Sequence, residues 1–438
     1  MGKSTAEVMR FDLPFHAGPP PLTFAGADIT SLVERRSTSH HIDVTVLDTS
    51  DDRLLRAGIV LAHRVQGGVG GWYLSAPGWQ PHLPAERSMD IDATAELPAQ
   101  FVAWIRPFIR RATVGPVAGL ECERRDYVMR GEDGELGTIR DEQVTVLRGG
   151  VTVARYREAT FTLEHPTPER CEAVTTAMAQ VAGARVMRFP TLQQRLGPPA
   201  SGFTDFPEPI RGRRREVTLE AFVTWLFATD LRALVAAVLS APDTLVTLFS
   251  DIRGHARGLA SVLDPAWLRE LDELLLGEPG SRVLEVIDVL VGAVRAPRLG
   301  DASREPAARL LLRRAEHGAR ILAERCRMLS PDSPDRDWGA AHAAAEQLCA
   351  SGAVAAHLHG KAGRRVMKRL TGITRALGRC ADVTTVDSLD GLGAPEAFEL
   401  GRRVERCRQR AVAEREAFVT QWPDHVSEVT RLLTKARR

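Results

Sequence analysis

The sequence predicts an α+β chain in two unlike parts, an antiparallel β tunnel or barrel followed by an all-helical bundle. Two observations carry this. Through the first 165 residues, short apolar or alternating runs recur between turn signals. From residue 218 onward, apolar residues recur at helical spacing over long stretches. A third observation separates the parts. Residues 190–217 are rich in Pro, Gly and Arg, including Gly197-Pro198-Pro199 and Arg211-Gly212-Arg213-Arg214-Arg215, and read as a linker. The expected domains are therefore 1–189, a linker over 190–217, and 218–438.

Taken in order, strands are expected over 42–47, 58–64, 71–76, 143–147 and 151–163. Gly131-Glu132-Asp133-Gly134 and Gly149-Gly150 mark turns, and the second pair closes a hairpin between Gln143–Leu147 and Val151–Arg155. Ala95–Arg111 has helical spacing, and Thr167 caps a helix running from Glu169 to Val181. In the second half, helices are expected over 218–240, 242–263, 265–276, 281–294, 303–329, 337–379 with an interruption, and 394–434.

Composition narrows the function. The chain has 438 residues, 44% of them hydrophobic and 26% charged, as in a globular protein with a core. No run of eighteen uncharged apolar residues and no apolar leader behind Met1 occur, so no membrane association is expected. Six cysteines lie far apart without a Cys-x-x-Cys pair, which disfavours a disulfide framework or a zinc cluster and points to a cytoplasmic setting. Net charge is +2, but it is unevenly spread. Residues 301–438 hold 25 Lys+Arg against 18 Asp+Glu, leaving 33 against 38 in the rest. A basic C-terminal part suggests an anionic partner. Arginine abundance alone proves little, since only Lys3, Lys361, Lys368 and Lys435 are lysines.

The strongest chemical signal lies at 357–379. No acid occurs between Glu346 and Asp382. On one helical wheel Lys361, Arg364, Arg365, Lys368, Arg369, Arg375 and Arg379 fall within an arc of about 140°, joined by His357, with Val366, Met367, Leu370, Ile373 and Leu377 opposite. A solvated face ordinarily mixes signs in i,i+4 pairs. This one has none within its length, which favours polyanion binding. Pairing with acids of a neighbouring helix, such as Glu405 or Glu414, is the structural alternative. Arg309, Arg313, Arg320 and Arg327 form a sparser stripe within roughly 40°. With three tyrosines in the chain, no stacking platform for nucleic acid is apparent.

At Asp48-Thr49-Ser50-Asp51-Asp52-Arg53-Leu54-Leu55-Arg56-Ala57-Gly58 the sequence resembles the CYTH family, the triphosphate tunnel enzymes. Gly71-Trp72-Tyr73-Leu74, Arg124-Arg125-Asp126-Tyr127, Asp141-Glu142-Gln143-Val144 and Tyr156-Arg157-Glu158 follow in the family's order. The helical half is similar, more loosely, to the CHAD domain that often follows CYTH in bacteria and is associated with polyphosphate. The resemblance implies an eight-stranded tunnel whose lumen holds basic residues for triphosphate and carboxylates for Mg²⁺ or Mn²⁺.

Carried over residue by residue, it leaves Arg64, Arg124 and Arg157 as tunnel anion ligands, or alternatively as salt-bridge partners. Glu7, Asp141 and Glu158 remain as metal-ligand candidates, or alternatively as ion-paired strand residues. Met9, Phe11, Ser75, Thr138, Thr160 and Thr162 stand where the family has polar catalytic groups. The implied reading is a CYTH–CHAD-like protein without a catalytic set or resident metal, binding inorganic polyphosphate or a similar polyanion. The alternatives are a divergent triphosphatase using Mg²⁺ or Mn²⁺, and a scaffold with neither activity.

Overall fold

The computed structural model describes residues 6–18, 28–91, 96–132, 134–207, 216–381 and 393–437. Contacts divide the chain into two units, Met1–Pro207 and Glu208–Arg438.

The first unit is built on one antiparallel sheet of ten strands. These are β1 (Glu7–Leu13), β2 (Ser31–Glu34), β3 (His40–Asp48), β4 (Val60–Gln66), β5 (Val69–Ser75), β6 (Glu86–Asp90), β7 (Gly115–Gly131), β8 (Gly134–Arg148), β9 (Val151–Leu163) and β10 (Ala184–Val186). Their order is β10-β1-β9-β8-β7-β3-β4-β5-β6, with β2 on β7. The β8–β9 hairpin turns at Gly149-Gly150, whose φ values of 57° and 78° meet the need for two left-handed residues in a tight turn. Four short helices accompany the sheet: α1 (Arg53–Arg56), α2 (Ala99–Ile109), α3 (Pro168–Gln180) and α4 (Leu192–Leu196). Thr167 caps α3 by accepting from the Arg170 amide at 3.2 Å.

Alternation gives the sheet two covered faces. The outer face carries Met9, Phe11, Leu13, Tyr127, Met129, Ile139, Ala159, Phe161 and Leu163, packed beneath Val174, Ala177 and Met178 of α3. The inner face carries Ile42, Val46, Ala118, Cys122, Val144 and Val146, on which Leu196 and Ala200 are buried. The segment expected as a linker therefore begins inside this unit. Residues 192–206 pack on it because Leu196, Ala200 and Phe206 are apolar, and buried Asp205 pairs with Arg110 at 3.1 Å. The Arg211–Arg215 run lies outside the described residues.

The second unit is helical: α5 (Leu219–Ser240), α6 (Leu245–Gly258), α7 (Pro265–Leu276), α8 (Pro279–Arg295), α9 (Ala307–Arg327), α10 (Asp335–Ala381) and α11 (Ala394–Arg437). By length and composition α5 is apolar enough to cross a membrane, yet Asp230 lies buried within it among a largely buried face. The interruption expected in 337–379 is a reversal at Gly360, whose φ of 54° and ψ of −124° are open to glycine. α10 is thus a hairpin of two arms. The arms lie close enough that a Cβ at Gly352 would run into Met367 and Leu370 and one at Gly363 into Ala356, and Thr374 Oγ1 donates to the Ala345 carbonyl at 3.3 Å. Leu312, Leu322, Trp338, Leu348, Leu370, Leu377, Phe418 and Val429 form the core shared by α9, both arms and α11.

Candidate functional site

The residues that carry the family resemblance build a turn. Buried Asp48 accepts from the amides of Thr49, Leu54 and Leu55 at 2.6, 2.9 and 2.8 Å, so its carboxylate closes α1 from below. Thr49 Oγ1 donates to Asp51 at 2.8 Å and accepts from the Arg53 amide. Burial pushes the Asp48 carboxyl up to about 6, against the pull of those three amides.

The register of the sheet sorts the tunnel candidates. Asp12, Glu158, Glu142, Arg124 and His40 lie abreast on β1, β9, β8, β7 and β3, on the inner face. Arg10, Thr160, Arg140 and Asp126 form the next inner row. Glu7, Met9 and Phe11 belong to the opposite phase. Met9 and Phe11, expected to stand in for catalytic groups, are buried under α3, whereas Val8, Arg10 and Asp12 take the opposite phase, shared with Glu158. Asp141 and Arg157 share the phase of Met9 and Phe11, opposite that of Glu142 and Glu158.

Each of the tunnel arginines has a partner. Arg157 grips Asp141 through two bonds of 2.8 and 2.6 Å and donates to the Ala17 and Gly18 carbonyls. Arg124 holds Glu142 at 2.7 Å. The Arg64 guanidinium lies 3.2 Å over the Tyr73 ring. Among the metal candidates, Glu7 pairs with Arg185 at 3.5 Å, Asp141 with Arg157, and Glu158 with Arg195 at 2.8 Å. Burial raises the Glu158 carboxyl while Arg195 opposes the shift.

A hard divalent cation needs several oxygens converging on one point. Glu7 and Asp141 lie on the face opposite Glu158, and among the described residues no group of three His, Cys, Asp or Glu is placed to hold a metal. The residues do not fit Mg²⁺ or Mn²⁺. The reading from sequence missed Asp12, Glu142 and Arg195. The polar phase Arg10–Asp12 against the apolar phase Met9–Phe11–Leu13 was the available signal for Asp12; nothing local marks Arg195.

In the helical unit the second arm of α10 buries Val366, Leu370, Ile373 and Leu377 and exposes Lys361, Arg364, Arg365, Lys368 and Arg375. None of these five cations has an ion-pair partner among the described residues. Arg369 pairs with Glu428 at 2.8 Å and Arg379 with Glu414 at 3.0 Å, both acids on α11. Of the neighbours expected from sequence, Glu414 engages, while Glu405 accepts from Gln409 instead.

Arg365, Lys368 and Arg369 with Arg431 and Lys435 of α11 line a cleft of about 470 Å³ that contains one acid, Glu428. His425 beside it is held below the usual imidazole range by burial and by Arg369.

His357 does not join this face. It precedes Gly360, so it belongs to the first arm, where its ring lies 5.7 Å from both Trp225 and His255. The reversal invalidates a single helical wheel across residue 360. On α9, exposed Arg313 pairs with Glu305. Arg320 lines a separate cleft with Glu316 and Trp422. Arg309, Arg313 and Arg320 contribute nothing to the lining of the α10–α11 cleft.

No protein-family model matches the chain. No curated protein matches it either. Among solved structures, the chain is similar to a Bacillus halodurans protein described as a candidate adenylate cyclase. The two are 13% identical with a TM-score of 0.25, covering 36% of this chain and 83% of the other. It is also similar to HpAC1 from Hippeastrum, a candidate adenylyl cyclase described as having a dominant triphosphatase activity. That pair is 12% identical with a TM-score of 0.24, covering 43% of this chain and 93% of the other.

Proposed function

We propose that this chain binds inorganic polyphosphate or a similar linear polyanion on the second arm of α10 and the adjoining end of α11, and that its β unit is a non-catalytic, CYTH-like domain. One observation carries the binding reading. Lys361, Arg364, Arg365, Lys368 and Arg375 project from one exposed arm, and none of them forms an ion pair among the described residues. Like charges at helical spacing repel one another, a cost that a bound anion relieves. Arg369 and Arg379, already paired, position the arm against α11.

A linear polyanion suits this surface because its charges repeat along the arm, so longer chains engage more cations. Binding should be dominated by release of condensed counterions. By analogy with single-stranded nucleic acid, each engaged phosphate contributes roughly 0.7 to the fall of log affinity with log salt.

The test is polyphosphate binding by the full chain across a salt series, for wild type and the triple variant K361E/R365E/K368E. The wild type should bind long polyphosphate more tightly than short oligomers, with a steep salt dependence. The variant should lose at least three contacts, flattening the slope by about 2. A folded triple variant that binds as wild type does would overturn the reading, as would a wild type without affinity at low salt.

A further inference from the structure

The inner row Asp12–Glu158–Glu142 sets three carboxylates abreast on adjacent strands. Like charges directly opposite each other destabilise a sheet, so such a row needs a counter-charge. The structure supplies it from α4. This helix is closed by a capping box in which Thr191 accepts from the Gln194 amide and Gln194 accepts from the Thr191 amide. It is seated by Leu196, buried with Ala200 on the inner face, and by Leu192 packed beside them. Both anchors fix the residue that immediately precedes Leu196.

That residue is Arg195. Its guanidinium donates to Glu158 Oε1 at 2.8 Å, lies 3.9 Å from Asp12 Oδ1 and stacks 4.1 Å over the Tyr156 ring. The Arg195 and Glu158 side chains are 16% and 14% exposed, so water screens the pair weakly. Glu142, the third carboxylate of the row, is taken by Arg124 at 2.7 Å.

We infer that Arg195 is the built-in counter-cation of this carboxylate row: its guanidinium fills the place a divalent cation would need between Asp12 and Glu158, and so keeps divalent ions off the inner face. A guanidinium suits this role because it stays charged at every physiological pH and holds its donors in a fixed plane. It also cannot activate a water molecule as a metal ion does, which agrees with a non-catalytic β unit. The inference concerns the β unit only. Polyphosphate binding by the helical unit can succeed or fail without touching it.

The test uses the full chain and Mn²⁺ as the probe. R195M keeps an apolar stem against Tyr156 and removes the charge. Two measurements apply: Mn²⁺ binding from loss of the free-ion electron paramagnetic resonance signal, and thermal unfolding with and without millimolar Mn²⁺. The expected result is no Mn²⁺ response in wild type. R195M should unfold at lower temperature, bind Mn²⁺ and regain about 3 °C or more with it. The response should vanish in R195M/E158Q.

Equal Mn²⁺ responses in wild type and R195M would overturn the inference. So would a folded R195M without a response, or a response that survives E158Q. If R195M does not fold, R195Q, which can still donate to Glu158, is read in the same way.

Discussion

The inner row of the β unit and the second arm of α10 are both rich in arginine, yet they solve opposite problems. At this row, Arg124 of β7 and Arg195 of α4 each meet a carboxylate within 2.8 Å, and on the opposite face of the sheet so does Arg157 of β9. On the α10 arm, five of the seven cations meet none among the described residues. Where a guanidinium is buried, leaving it unpaired is prohibitive, so a partner is built in. Where it stays in water, it can stand alone, and its charge remains free to meet a ligand. Arginine content alone thus says nothing about binding; the presence or absence of an internal partner does.

The comparison breaks most sharply at Arg157. R157M would leave Asp141 buried and uncompensated, at a cost of about 3–5 kcal/mol, visible as a large fall in denaturant midpoint. A loss below about 1 kcal/mol would mean that the outer pair is solvated and the contrast with the α10 arm is false.

Asp48 tests burial through pH. Its folded-state value of about 6 stands above its ordinary 3.8, so its contribution to stability is full below pH 4 and is lost as pH rises through 6. Wild type should lose up to about 3 kcal/mol relative to D48N between pH 4 and 7. Below pH 4, D48N should still be the less stable of the two, because its amide must turn a donor toward backbone N–H groups, costing about 1–3 kcal/mol. Urea melts of both proteins at pH 4 and pH 7 check both signs.

The hairpin that presents the basic arm depends on Gly363, where an added Cβ would come within 2.6 Å of Ala356 Cα. G363A should cost about 1–3 kcal/mol and weaken polyphosphate binding together with stability. Unchanged melting would show that the two arms can separate there.

The smallest effect on stability is expected on the arm itself. K368M and R375M should each change stability by less than about 0.5 kcal/mol. Each should nonetheless reduce the salt slope of polyphosphate binding by roughly 0.7. A stability loss comparable with that of R157M would reveal a hidden partner.

Much of this was legible in the residues. Alternation in Val151–Leu163, the Gly149-Gly150 turn and the Thr167 cap are local rules, and the structure follows them. The acid-free stretch from Glu346 to Asp382 and the apolar side at Val366, Leu370, Ile373 and Leu377 are likewise sequence facts that packing preserved.

Other features required the fold. A period of two divides a strand into two faces but does not say which looks inward when both are covered, so the phase of Met9 and Phe11 was settled by α3 lying on them. Gly360 could have been an ordinary weak helical residue; its left-handed φ makes a reversal, which moves His357 to another arm. The counter-charges came from far along the chain: Arg195 from a stretch that reads as linker, Glu414 and Glu428 from α11. Local patterns are set by backbone geometry and can be read along the chain. Charge neutralisation acts through space over a few ångströms, and only the tertiary structure decides which residues come that close.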